Sequence, residues 1–130
     1  MSGGENCPFC SIPSNRLLEA DERVVVIADG FPISTGHTLI ILKRHIGSWF
    51  ECTPAEQQSL LQLMTTARAR LRSQYSPDGF NIGINDGAAA GQTVPHLHIH
   101  LIPRYKGDRA DPRGGIRWVL PEKADYWSKE

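Results

Sequence analysis

The stretch Pro95-His96-Leu97-His98-Ile99-His100-Leu101-Ile102-Pro103 alternates histidine with an aliphatic residue from 96 to 101. A period of two is the mark of a β-strand, so the spacing predicts a strand over His96 to Ile102 with prolines at its ends. His96, His98 and His100 then share one face, while Leu97, Ile99 and Leu101 face a core. A half-exposed strand needs polar residues on its outer face, but Ser, Thr or Lys would serve there equally well. Three imidazoles in a row point to chemistry. Residues two apart on a strand are separated by about 6.5 Å, and His96 and His100 by about 13 Å. One metal ion holds its nitrogens at about 2 Å, so a single ion would not be shared by all three. Separate roles along a line suit an extended substrate, such as a nucleotide with its phosphate chain.

Upstream, Arg23 to Ala28 is rich in β-branched residues and reads as a strand that ends at Asp29-Gly30-Phe31-Pro32. Thr38 to Leu42 reads as another strand after a turn at Gly36, and Phe80 to Ile84 as one more. Thr53-Pro54-Ala55-Glu56 forms a capping box with proline at the first helical position. Leu60, Leu63, Met64, Ala67 and Leu71 follow at helical spacing, and Pro77-Asp78-Gly79 stops the run. Asn85 to Thr93 is a loop rich in glycine and alanine. After Arg104 the chain is polar and irregular apart from Trp118-Val119-Leu120. Antiparallel strands around one long helix predict an α+β fold.

The chain has 130 residues, enough for one domain, and its 40% hydrophobic content supports a packed core. Fourteen Lys and Arg balance fourteen Asp and Glu, so the basic excess expected of a nucleic-acid binder is missing. The first residues show no cationic stretch followed by an apolar one, and no apolar run approaches the roughly 20 residues of a membrane span. A soluble cytoplasmic protein is expected, with no membrane partner. Three cysteines are present, and Cys7 and Cys10 are spaced C-x-x-C, a pattern open to metal binding or to redox chemistry.

The segment from Gln92 to Arg104 resembles the signature of the histidine triad (HIT) family of nucleotide hydrolases and transferases. The resemblance extends to Asp29-Gly30-Phe31-Pro32, Gly36-His37-Thr38-Leu39 and Asn85-Asp86-Gly87, and covers Cys7 to about Tyr105. It implies a HIT-like sheet with one long helix and a short N-terminal helix, continued across a homodimer. Residues 1–12 would be a zinc-tethered segment and 105–130 an irregular tail of the same single domain. His98 would attack the α-phosphorus, forming a nucleotidyl-imidazole intermediate, with the His96 carbonyl fixing its tautomer. Histidine suits that task, since an unperturbed imidazole is mostly neutral and nucleophilic at pH 7. His100 would contact the α-phosphate, and Gln92 would reach the bridging oxygen of the leaving group. Asn85 and the backbone near Gln92 and Thr93 would cradle phosphate, although Asn85-Asp86-Gly87 is also an ordinary turn sequence. Asp29 would hold the ribose, in a position where a plain turn is the commoner role. Phe9, Ile27 and Leu39 would line the base pocket, or serve simply as core. His37 is expected to be structural and Cys52 a small buried residue.

The same resemblance groups Cys7, Cys10, His45 and His96 as a structural zinc site. It implies hydrolysis of a nucleoside phosphoanhydride of the dinucleoside polyphosphate kind, because glutamine stands at position 92 where the phosphoramidase branch more often carries serine. Hydrolysis of adenylyl amides and a non-catalytic nucleotide-binding module are the alternatives.

Overall fold

The computed structural model describes residues 6–128. Five strands form one antiparallel sheet: β1 (Leu17–Ala20), β2 (Val24–Ala28), β3 (Thr38–Leu42), β4 (Gly79–Gly83) and β5 (His98–Arg104), in the order β1-β2-β3-β5-β4. Helix α1 (Pro54–Tyr75) crosses one face. In the register of β3 with β5, Leu39 stands opposite His100 and Ile41 opposite His98.

The unbroken apolar runs of β2 and β3 follow from burial on both faces. Val24, Val26, Ile40, Leu42, Leu97, Ile99 and Leu101 pack with Leu60, Leu63, Ala67 and Leu71 of α1. On the other face Val25, Ile27, Leu39 and Ile41 form a smaller core, covered by Phe9, Ile12 and Leu17 of the N-terminal segment. Phe9 also meets the rings of His96 and His98 beside that cluster. Gly36, at φ +90°, fixes the turn into β3, where an added Cβ would lie 3.0 Å from Tyr75 and 3.1 Å from Leu71.

Helix α1 begins as its sequence predicts: Thr53 accepts from the Glu56 N–H, and Glu56 accepts from the Thr53 N–H. It ends at Ser76, which adopts φ 53° in the left-handed region just before Pro77. Glu56 also takes a two-pronged ion pair from Arg44, at 2.8 and 2.9 Å. The Arg44 hydrogen bonds hold the Glu56 carboxyl at about 2, below its ordinary 4.5. A depressed carboxylate stabilises the fold above its unfolded pKa, and that contribution is lost as pH falls from about 4.5 toward 2. Arg44 is half exposed, so solvent screening keeps the effect modest. We expect Glu56→Gln to lower the urea midpoint at pH 6, with the gap to wild type closing as the pH approaches 2.

Several elements differ from the sequence reading. Strand β1 was not anticipated: Leu17-Leu18-Glu19-Ala20 lacks β-branched residues, and it is secured by Glu19 pairing with Arg70 of α1 at 2.9 Å. The expected short N-terminal helix is, among the described residues, only a 3-10 turn at Ser14–Arg16. Pro8, Pro13 and the turn joining Cys7 to Cys10 break up the residues that precede it. The strand expected over His96–Ile102 is shifted, and Pro103 lies inside β5 rather than at its end. The Arg104 carbonyl accepts from Asp78 on the β4 side, so the nitrogen of Pro103 points to the opposite side, beyond the end of β3. No ladder bond is lost there. The tail holds a 3-10 turn (Gly115–Val119) and a one-turn helix α2 (Pro121–Ala124). Arg117 bonds the Lys123 and Ala124 carbonyls, and the guanidinium groups of Arg113 and Arg117 cover Trp127 and Tyr126. No helix among the described residues is long and apolar enough to cross a membrane.

Candidate active site and metal centre

A cavity of about 300 Å³ opens on the histidine face of β5. Phe9, Ile27, Asp29 and Leu39 line it together with Asn85, Thr93, His98 and His100. A larger cavity of about 460 Å³ lies farther along β5, around Arg104, Tyr105 and Asp108. It has no histidine in its wall, and Arg104 is already engaged by Asp108 and Asn81. Chemistry, not size, selects the first.

Within β5, His98 and His100 share one face, as the alternation predicted, and His96 lies in the bend just before the strand. His98 is 9% exposed, and its Nδ1 lies 2.8 Å from the carbonyl oxygen of His96. That acceptor requires the proton on Nδ1 and leaves a lone pair on Nε2. Phe9 meets the His98 ring edge-on at 5.0 Å between centroids. His100 follows at 5.1 Å from His98.

His37, set aside from the sequence as structural, belongs to this site. Its Nδ1 accepts from the Ile33 N–H at 3.2 Å, so its proton sits on Nε2. Nε2 faces His100 Nδ1 at 3.0 Å and Asp29 Oδ2 at 3.3 Å. With His37 as donor, His100 carries its proton on Nε2 and can offer it to an anion. Burial lowers the pKa of both His37 and His100, which favours neutral rings. The signal was available in the sequence. Counting back by twos from Ile41 and Leu39 reaches His37, on the face that pairs with His98 and His100.

Asp29 makes the turn contact that its sequence context suggests. Its Oδ1 accepts from the Phe31 N–H at 2.8 Å, a turn contact, while the carboxylate also lines the cavity. The Gln92 amide is engaged at both ends by backbone groups. Its Oε1 accepts from the Gly87 N–H at 2.8 Å, and its Nε2 donates to the Gly47 and Val94 carbonyls at 3.0 and 3.2 Å. The side chain closes the glycine-rich loop and is not part of the cavity wall. Asp86 ties the same loop to Ser48 and to the Trp49 N–H.

Beside the cavity, the donor atoms of Cys7, Cys10, His45 and His96 all lie within 4.8 Å of one another. Cys7 Sγ is 3.3 Å from His96 Nδ1, Cys10 Sγ is 3.1 Å from His45 Nδ1, and the two Nδ1 atoms are 3.1 Å apart. A tetrahedral ion with metal–ligand bonds of about 2.0 to 2.3 Å needs edges of about 3.3 to 3.8 Å, close to these separations. The fully buried His96 ring has its Nε2 2.6 Å from the Leu42 carbonyl. Donation to that carbonyl turns the unprotonated Nδ1 toward the cluster, the outer-shell arrangement a ligating histidine requires. This set could hold a metal ion.

The HIT domain family model matches residues 11–107. A Bacillus subtilis relative named "Protein hit" is 39% identical over 114 residues, covering 83% of this chain and 78% of that protein. A Bis(5'-nucleosyl)-tetraphosphatase [asymmetrical] of Schizosaccharomyces pombe is 42% identical over 77 residues, covering 59% of this chain but only 42% of that protein. The crystal structure of a Zn-bound histidine triad family protein from Mycobacterium smegmatis matches with TM-score 0.72 and 35% identity, over 83% of this chain and 81% of that one.

Proposed function

The chain belongs to the HIT family, and from that premise we propose that it is a nucleotide hydrolase that cleaves at the α-phosphorus through a nucleotidyl-His98 intermediate. The observation that carries this reading is the hydrogen bond of His98 to the His96 carbonyl, which directs an unprotonated Nε2 into a cavity of nucleotide dimensions. The Nε2 lone pair attacks the α-phosphorus and the bond to the bridging oxygen breaks, so that the leaving group departs with that bond's electrons. Water then attacks the same phosphorus, the P–N bond breaks, and its electron pair returns to the imidazole while a proton passes to solvent. The His96 carbonyl stabilises the charge that His98 acquires while phosphorylated. His100, aligned by His37, donates to the phosphate, and Asn85 and Thr93 stand beside it. Asp29 receives the ribose hydroxyls, with Phe9, Ile27 and Leu39 around the base.

The substrate class we favour is the dinucleoside polyphosphates, in keeping with the activity named for the fission-yeast relative. Gln92 serves there by holding the phosphate loop in shape. The ion we assign to Cys7, Cys10, His45 and His96 is zinc, as named for the mycobacterial relative. When bound it would tie the N-terminal segment to the strand that carries His98, and supply no electrophile. A homodimer would cover the free edge of β4, where Ile82 and Ile116 stand exposed.

A panel of dinucleoside polyphosphates and adenylyl amides, read by mass spectrometry for nucleoside monophosphate release, tests the activity. Hydrolysis in ¹⁸O-water should place the label on the monophosphate, with net retention at phosphorus after the second in-line displacement. Inversion would mean direct attack by water and would remove the role given to His98.

A further inference from the structure

We infer that Arg16 selects the base at the nucleoside end of the cavity, favouring guanine over adenine, an inference that rests on the nucleotide reading above. Arg16 closes the 3-10 turn before β1, where its backbone N–H bonds the Pro13 carbonyl at 3.0 Å. Its side chain crosses to β2, and Nη2 donates to the Ala28 carbonyl at 3.2 Å. Leu17 stands opposite Ile27 in the β1–β2 register, so this contact at Ala28 holds the guanidinium in the cavity wall beside Ile27. Arg16 is the one Lys or Arg in that wall, and it forms no ion pair among the described residues. Its remaining N–H donors are therefore unspent.

The apolar residues assigned to the base cannot discriminate. Phe9, Ile27 and Leu39 are apolar and grip a base by its faces, which all bases share. Selection must come from an edge, and a guanidinium fork wants two acceptors side by side. Guanine presents them as O6 and N7, whereas adenine pairs N7 with an amino group that opposes the fork. A ribose carrying an extra phosphate would also attract an arginine. The Asp29 carboxylate in the same wall repels such a group and suits free hydroxyls instead.

Isothermal titration with the product nucleotides GMP and AMP tests the assignment without depending on turnover. The wild-type protein should bind GMP about fivefold or more tightly than AMP. Arg16→Leu should bring the ratio of affinities close to one. Arg16→Lys should do nearly the same, because an ammonium keeps the charge but lacks the fork. Arg16 is exposed and in no core, so both variants should keep the wild-type circular dichroism and melting temperature. Equal affinities in wild type, or a preference that survives Arg16→Leu, would overturn the base assignment alone. An Arg16-dependent gain on changing AMP to adenosine 3',5'-bisphosphate would overturn it in favour of a ribose phosphate. Failure of folded protein to bind either nucleotide would overturn the nucleotide reading, and this inference with it.

Discussion

His98→Asn should reduce turnover of a dinucleoside polyphosphate by about 10³ or more, equivalent to at least about 4 kcal/mol of transition-state stabilisation. Asparagine keeps a polar side chain able to donate toward the His96 carbonyl, but it has no basic lone pair for phosphorus. Much of the cavity wall comes from other elements: Asp29 after β2, Leu39 on β3, and Asn85 and Thr93 in the loop before β5. Nucleotide affinity should therefore change by less than about tenfold, roughly 1.4 kcal/mol. His100→Asn should be milder, since it removes a phosphate donor and leaves the nucleophile in place. Single-turnover quench experiments with radiolabelled substrate separate binding from chemistry. A His98→Asn enzyme with near wild-type turnover would end the covalent reading.

The sequence was most legible where one local rule and the tertiary context agree. The capping box at Thr53 and Glu56 starts α1 where expected, and Thr38 to Leu42 is a strand with the bounds expected after the Gly36 turn. The alternation from 96 to 101 correctly placed His98 and His100 on one face, although the strand itself begins at His98. His96 lies in a bend, its N–H donating to the Val94 carbonyl, while Leu97 accepts from the Leu42 N–H and donates to the Ile46 carbonyl. Where context decides alone, the reading ran out. Leu17 to Ala20 is a strand because β2 offers an edge and Arg70, 51 residues away, receives Glu19. Gln92 matches a family position, but its destination depends on the Gly47 carbonyl, 45 residues distant, which no local pattern reveals. His37 could have been included by its parity with Leu39, and was missed because its glycine-flanked turn gave it a sufficient structural role.

Replacing Cys7 and Cys10 together by serine should remove one equivalent of zinc and lower the melting temperature by about 10 °C or more. The size follows from how much structure the four ligands join. Cys7 and Cys10 belong to the N-terminal segment, His45 follows β3, and His96 leads into β5. Phe9, between the two cysteines, covers the smaller core and touches the His98 ring, so releasing the segment uncovers Val25, Ile27, Leu39 and Ile41 as well. Turnover per folded molecule should fall less, by under about tenfold. The carbonyl that orients His98 is backbone, and the His96 ring retains its bond to Leu42. Elemental analysis of protein purified without chelator gives the metal content, and calorimetry with and without chelator gives the stability. Zinc should restore the melting temperature of chelated wild type, and magnesium should not, because two thiolates and two imidazoles make a poor site for a hard cation. Metal-free protein that forms a reversible Cys7–Cys10 disulfide without losing stability would favour a redox dithiol and rule out the structural ion.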